Sequence, residues 1–430
     1  MSSKSFTVGL YMIVKDESYE DLKPLFASIP PKTFNEMLVG WNGSNEATRR
    51  ALEAFGCKVI KIKWEDDFSK ARNHVFDEGT CDLQVWMDSD DELQNGKELL
   101  TTLLNAFRDP MVKVLEMPYF YDHDKYGNCV MKLWNARVVR RGTFQWVGAC
   151  HEALLPTEDF KKCRVENVSI KHRVDPARVG RSAERNLRIF AREYKKEHEL
   201  GGIDPRTTLY YAKSLNGMGM FAESVEIFEE YLEQSEWDDE KYEVLCTLAD
   251  FHTRSRQYFK AQDYARRALT LRPQYGLAYF ELAETYYRLE KWQECAHFIG
   301  IGLNQKMPDA LLPVDPSEYN FRPLLALEYA LFQMGNTQGS LQVIEELLKL
   351  QPKNEHVLAR KKSVLEFLAR IELERSSITL MQWLEKSGEK DKIRHLLEAL
   401  PEVVQDHPQF VRIANGYKTA DGAKNRLTIY

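Results

Sequence analysis

A spacing of 34 residues recurs along the second half of this 430-residue chain and constrains its fold more than any single residue does. Ala249 and Ala283 stand 34 residues apart, as do Leu248 and Leu282, and Tyr258 and Trp292. One unit places small and apolar residues at Leu248, Ala249, Ala261, Ala265, Ala268 and Pro273. The next places them at Leu282, Ala283, Tyr286, Cys295, Ile299, Gly302 and Pro308. A looser copy precedes these (Ala212, Leu215, Ser224, Phe228, Tyr231). Another follows a proline-containing insertion around 306–323 (Leu327, Leu331, Ser340, Ile344, Leu347, Pro352). Small residues at such intervals let paired helices approach and stack, so successive units bury one continuous core.

Period and pattern together match the tetratricopeptide repeat. The chain beyond about residue 180 is therefore expected to be an all-α solenoid. The first 120 residues read differently. Apolar runs at 7–14, 36–41, 57–64 and 83–88 alternate with helix-like segments at 19–29, 46–55 and 69–78. Strands separated by single helices imply a mostly parallel sheet with right-handed crossovers. Between 111 and 175 the pattern turns to short strands rich in aromatic and basic residues, read as an antiparallel extension that closes over a ligand.

Composition narrows the class. Hydrophobic content of 43% and charged content of 29% suit a soluble globular protein, and a net charge of −6 disfavours broad nucleic-acid binding. No run approaches the 18 apolar residues of a membrane span, and the N-terminus carries no signal-peptide pattern. Seven scattered cysteines without a C-x-x-C pair fit a reducing, cytoplasmic setting.

The chemistry concentrates in two runs, DFSKARN (67–73) and VWMDSDDEL (85–93). In the second, a short buried strand ends in carboxylates, where open α/β sheets bind ligands. Asp88 and Asp90 can turn toward one hard cation, and magnesium or manganese with such oxygen ligands usually also binds a substrate diphosphate.

With GLYMIVKDE (9–17), WNGSNEAT (41–48) and GACHEAL (148–154), these runs resemble the family 2 glycosyltransferases of GT-A fold. Among them, the chain is most similar to members that carry tetratricopeptide repeats, such as the peptide S-glycosyltransferases that modify bacteriocins. The resemblance implies a Rossmann-like GT-A domain over 1–175, a linking helix over 176–206, a repeat domain over 207–375, and C-terminal helices and tail over 376–430. The closing RLTIY is either a strand docked on its own domain or the approach to a further one. The implied donor is a nucleoside-diphosphate sugar, a UDP-sugar for preference, with Mn2+ or Mg2+ as cofactor. Val14, Lys15 and Glu17 resemble part of the nucleotide pocket, joined by Trp41, Asn42 and Ser89. Asp67 and Arg72 resemble residues that meet the base, Asp88 the carboxylate near the ribose, and Asp90 the metal ligand. Family members usually place an aspartate after the second strand to meet uracil; this chain has Trp41. Either another nucleotide is bound or uridine is held by other contacts.

An inverting transfer needs a base to take the acceptor's proton. Glu152 matches a carboxylate of the family and is the candidate, with Asp91 and Asp175 in reserve; a structural ion pair is the alternative for Glu152. His172 is read as a metal or phosphate ligand or a structural hydrogen-bonder, and His151 as a supporting group. Arg173, Arg178, Arg181, Arg185, Arg188 and Arg192 form either a phosphate-binding stripe or a solvated helix face. A polypeptide acceptor recruited by the repeats is preferred over a modified nucleic-acid base or a glycan. The rival class is a non-catalytic repeat scaffold with a nucleotide-sugar-binding domain. A nucleotidyltransferase is disfavoured, because the glycine-rich phosphate loop is missing.

Overall fold

The computed structural model describes residues 6–123, 129–173, 176–202, 204–307 and 315–399, together with 408, 411 and 412. Two compact units, Met1–Ala330 and Leu331–Tyr430, make up the chain. Asp175, Pro308 and the RLTIY tail lie outside the described residues.

The α/β part runs β1 (Val8–Val14), α1 (Tyr19–Ser28), β2 (Glu36–Trp41), α2 (Glu46–Ala54), β3 (Lys58–Lys61), α3 (Phe68–Glu78), β4 (Leu83–Trp86), β5 (Asp91–Gln94), α4 (Leu99–Ala106), β6 (Val112–His123), β7 (Cys129–Arg140), β8 (Phe144–Val147), β9 (Ala153–Pro156), β10 (Lys161–Arg164) and β11 (Ser169–His172). Among the described residues nine strands form one sheet in the order β3-β2-β1-β4-β7-β6-β11-β5, with β10 also on β6, while β8 and β9 form a separate hairpin. The first four strands are parallel, and β7 is antiparallel to both β4 and β6. The extension is nevertheless mixed rather than purely antiparallel, since β10 and β11 both run parallel to β6. Each reaches β6 from a connection that crosses back along the sheet, a path a simple meander does not take.

Alternation along β1 builds both layers. Val8, Leu10, Met12 and Val14 pack with Leu22 and Leu25 of α1 and Leu99 and Leu103 of α4. On the opposite face Tyr11 packs with Val75, Phe76 and Trp146. Gly40 of β2 lies against Val75 and Ile62, and a Cβ there would collide with both.

Helices follow in sequence: α5 (Pro176–Leu200), α6 (Pro205–Gly217), α7 (Phe221–Gln234), α8 (Asp238–Arg254), α9 (Tyr258–Leu271), α10 (Leu277–Arg288), α11 (Trp292–Leu303) and α12 (Phe321–Gln333). The residues spaced by 34 lie at the helix interfaces: Ala212, Leu248, Ala249, Ala261, Ala265, Ala268 and Cys295 are all fully buried. No helix among the described residues is long and apolar enough to cross a membrane.

The second unit contains α13 (Thr337–Leu350), α14 (Glu355–Lys386) and α15 (Lys390–Ala399). Ser340, Ile344 and Leu347 of α13 are buried, and Lys361 of α14 pairs with Glu345 at 2.6 Å. Residues 375 and 376 fall inside α14, which runs on without a break.

Candidate active site

Chain order reverses between β1 and β4, and ligands of open α/β sheets bind beyond the strand ends at such a switch point. Three segments meet there: 15–18 after β1, 41–45 after β2 and 87–91 after β4. Side-chain bonds fix them together. Glu17 accepts from the Lys15 N–H at 2.8 Å and from the Ser89 hydroxyl at 3.3 Å. Asp16 Oδ1 accepts from the N–H groups of Ser44 and Asn45, each at 2.8 Å. Gly43 sits so close to the Lys15 carbonyl that any Cβ would strike it.

The four acidic residues after β4 take different directions. Asp91 is fully buried and accepts three bonds: Arg137 Nη1 at 2.9 Å, the Tyr119 hydroxyl at 3.0 Å and the Asp88 N–H at 2.9 Å all donate to it. Burial would raise its carboxyl, but the Arg137 guanidinium outweighs that and holds it below the usual range. Asp90 lies beside His172, whose Nδ1 is 3.5 Å from Asp90 Oδ1 and 3.6 Å from Asp91 Oδ1. Burial, then repulsion by Asp88, pushes the Asp90 carboxyl up to about 6. His172 shows the opposite balance. Burial lowers its pKa, yet the neighbouring Asp91 and Asp90 carboxylates outweigh it and raise the ring above its ordinary value. The Nδ1 atom is buried without a hydrogen-bond partner, and the ring stacks on Tyr121 at 4.8 Å. Glu92 pairs with Arg173 at 3.3 Å.

Asp90, Asp91 and His172 could hold a metal ion, their donor atoms lying within 4.8 Å of one another. Two oxygens and an imidazole nitrogen suit a first-row divalent ion such as manganese. With Asp91 already engaged, Asp90 and His172 are the donors open to a cation. Asp88 is not part of this group; its carboxylate faces Arg72.

Arg72 is the buried hub of the other side. Its Nη2 donates to Asp88 Oδ1 at 2.8 Å and its Nε to Glu152 Oε1 at 2.5 Å. The guanidinium lies 4.5 Å from the Trp86 ring and 5.1 Å from that of Trp146. Burial raises the Glu152 carboxyl, but Arg72 more than reverses this and keeps it below its ordinary value. Asp67 caps α3, accepting from the Lys70 N–H at 3.0 Å and the Ser69 hydroxyl at 2.7 Å. Its cap aims the helix so that Arg72, one turn on, points into the site.

Trp41, at the end of β2, is buried with Lys61 Nζ 3.6 Å above its ring. Trp41 Nε1 and Asn42 Oδ1 are adjacent buried polar atoms without partners.

The α5 arginines lie along a largely exposed face, with Arg188 and Arg192 solvent-accessible, yet several reach the α/β part. Arg188 reaches Asp66 Oδ1 at 3.2 Å, Arg192 donates to the Asp66 carbonyl at 3.1 Å, and Arg185 lies over the Phe68 ring. Arg173 donates to the Asp21 and Ser89 carbonyls. Arg181 is exposed, and the Arg178 side chain lies outside the described residues. His151 has a positive φ of 50° and stacks on Tyr210 of α6 at 4.6 Å. Its ring thus helps fasten the 148–152 loop to the first helices.

Arg137 and Tyr119 escape the motif reading, yet they set the conformation of the acidic run. One signal was present: Arg137 interrupts the apolar strand LWNARVV, and a charge there must be buried with a partner.

Residues 12–147 match the family model described as Glycosyl transferase family 2. Over 86 residues the chain is 37% identical to a TPR repeat-containing protein of Synechococcus elongatus, across 20% of this chain and 21% of that protein. The match therefore spans about a fifth of the curated relative's length. Among solved structures, a thermophilic TPR protein of Thermus thermophilus is similar at 16% identity and a TM-score of 0.32, covering 44% of this chain and 93% of that one. YrrB, described as a TPR protein with an unusual peptide-binding site, is similar at 15% identity and a TM-score of 0.33, covering 43% and 86%.

Proposed function

We propose that this chain is a divalent-metal-dependent, inverting glycosyltransferase. It would move a sugar from a nucleoside-diphosphate sugar, a UDP-sugar for preference, to a polypeptide acceptor recruited by the helical repeats. The observation that carries the reading is the division of labour beyond β4: Asp90 and His172 face one another, while Arg72 locks Asp88 to Glu152. Arg72, Asp88 and Asp90 lie within the residues matched by the glycosyl transferase model, and Glu152 and His172 lie beyond its end.

Asp90 and His172 would hold Mn2+ or Mg2+, which supplies positive charge against the departing diphosphate. Asp88, anchored by Arg72, faces the ribose side, and the loop 15–17 with Ser89 walls the nucleotide. Glu152 stays ionised because Arg72 is bonded to one of its oxygens. In this reading it takes the acceptor's proton as the nucleophile attacks the anomeric carbon, while the carbon–oxygen bond to the diphosphate breaks on the opposite face. Asp91 has no such role, since the three bonds it accepts from Arg137, Tyr119 and the Asp88 N–H serve the fold.

The test is release of a nucleoside diphosphate from a panel of sugar donors with manganese, by wild type and Asp90→Asn. Release by wild type and its loss in the variant are expected. A folded wild type that releases nothing from any donor, and shows no thermal shift with them, would sink the enzyme reading. A thermal shift with a donor but no release would instead favour a nucleotide-sugar-binding scaffold, for which the ion-paired state of Glu152 is the supporting observation.

A further inference from the structure

The repeats enclose a cavity of about 680 Å³, lined mainly by the first helix of successive pairs: α6, α8, α10 and α12. Its charged lining is unbalanced. Six carboxylates (Asp239, Glu243, Asp250, Glu281, Glu284, Glu318) face three guanidiniums, Arg254, Arg288 and Arg322.

Pairing the charges shows where the imbalance sits. Arg254 is held by Asp250 at 2.6 Å, Arg288 by Glu284 at 2.7 Å and Arg322 by Glu318 at 2.9 Å. Arg272 holds Asp239 at 2.6 Å, and Lys213 holds one oxygen of Glu243 at 2.9 Å. Glu281 is left over: among the described residues its carboxylate has neither a hydrogen bond nor an ion pair. The second oxygen of Glu243 is buried without a partner as well. Burial pushes the Glu281 carboxyl well up, Asp250, Glu318 and Glu284 push it further, and Arg254, itself held by Asp250, offsets only part of the rise. Ionising a carboxyl placed this way is costly unless a cation joins it.

The rest of the lining suits the stem of such a cation. Tyr242, Tyr275, Phe280 and Tyr319 offer ring faces, and long basic side chains bury their methylenes on apolar surfaces and their charge over aromatic rings. We infer that the cavity seats a lysine or arginine side chain of a polypeptide segment, with Glu281 as its counter-ion. A segment fits better than a free amine because the lining extends from Asn216 of α6 to Ala326 of α12, across several helix pairs. Asn216 and Thr247 add an amide and a hydroxyl for a peptide backbone. The inference deepens the transferase reading by giving the acceptor its chemical class, and rests on it only in calling the segment an acceptor.

Fluorescence anisotropy on the full chain tests it, with labelled short peptides of alternating lysine and glycine or of alternating glutamate and glycine. The lysine peptide is expected to bind and the glutamate peptide not to. Glu281→Gln should weaken binding by about tenfold or more, a loss of about 1.4 kcal/mol. Glu226→Gln, an exposed acid of α7 outside the cavity, should leave it unchanged. Glu281→Lys supplies the cation within the chain and should abolish binding while raising the melting temperature. That second readout stands even if Glu281→Gln folds poorly. Equal binding of both peptides, undiminished binding by Glu281→Gln, or binding of spermine but not of the lysine peptide would each overturn the inference. Donor hydrolysis by the wild type is scored separately: peptide binding without turnover defeats only the transferase reading, and turnover without peptide binding defeats only this one.

Discussion

Arg137 and Asp91 form an ion pair at 2.9 Å with both side chains essentially inaccessible to water. The pair lies beneath the acidic run and holds the Asp88 backbone through Asp91. Breaking a buried pair from one side strands a charge, at about 3–5 kcal/mol. Arg137→Met should lose stability on that scale in urea unfolding, and adding Asp91→Asn should recover part of it. Equal loss in the single and double variants would show that the pairing carries no weight.

Arg72 spans two carboxylates with separate nitrogens, which an ammonium cannot do with one. Arg72→Lys should therefore keep the fold and the site's charge, yet cut turnover by about a hundredfold, the scale of a misplaced catalytic group. Glu152→Gln should cost about 10²- to 10⁴-fold in kcat, the range of a lost general base. Near-normal transfer by a folded Glu152→Gln variant removes Glu152 from that role and leaves it as the partner that orients Arg72.

Asp90 carries a pH signature. Its folded pKa, about 6, exceeds the ordinary 3.8, so the native state favours the protonated form. Stability is lost as pH rises from about 4 through 6, and stays lost above. Asp90→Asn should thus stabilise the metal-free protein at pH 8, by on the order of 1 kcal/mol after allowance for its partial exposure. Mn2+ should raise the melting temperature of wild type at pH 8 and much less at pH 5, where the ligands are protonated. In Asp90→Asn the Mn2+ effect should vanish. A pH-independent metal shift would disprove the assignment.

Trp41 and Asn42 present orphaned polar atoms on the side proposed for the nucleotide. If they read the base, Trp41→Phe, which keeps a ring and deletes the N–H, should narrow the spread of thermal shifts among nucleoside diphosphates. An unchanged ranking would assign recognition to other groups.

Much of this architecture was legible in advance because its signals are local. Period-34 positions became buried helix contacts, and apolar runs between turns became β1, β2 and β4. The D-x-D run lies where strand-end logic places it. The partition of its carboxylates was not legible, because spacing cannot say which neighbour faces which strand. Asp91 alternates with Asp90 along the chain, and only β7, some 46 residues away, supplies the Arg137 that claims it. The α5 arginines do form a largely exposed polar helix face, but which of them also reach Asp66 and Phe68 was not legible. A stripe of like charge takes its meaning from the surface it meets.

The stacks of His151 on Phe190 of α5 and Tyr210 of α6 join the loop carrying Glu152 to those two helices. Module exchange must respect that seam. A chimera cut at residue 176 would strip the loop of its backing and should lose the turnover proposed for Glu152 along with the repeats. One cut in the turn before α7 would keep α5 and α6 with the α/β half and leave the later repeats free to be replaced. The natural unit of recombination in this chain is thus offset by two helices from the point where the strands end.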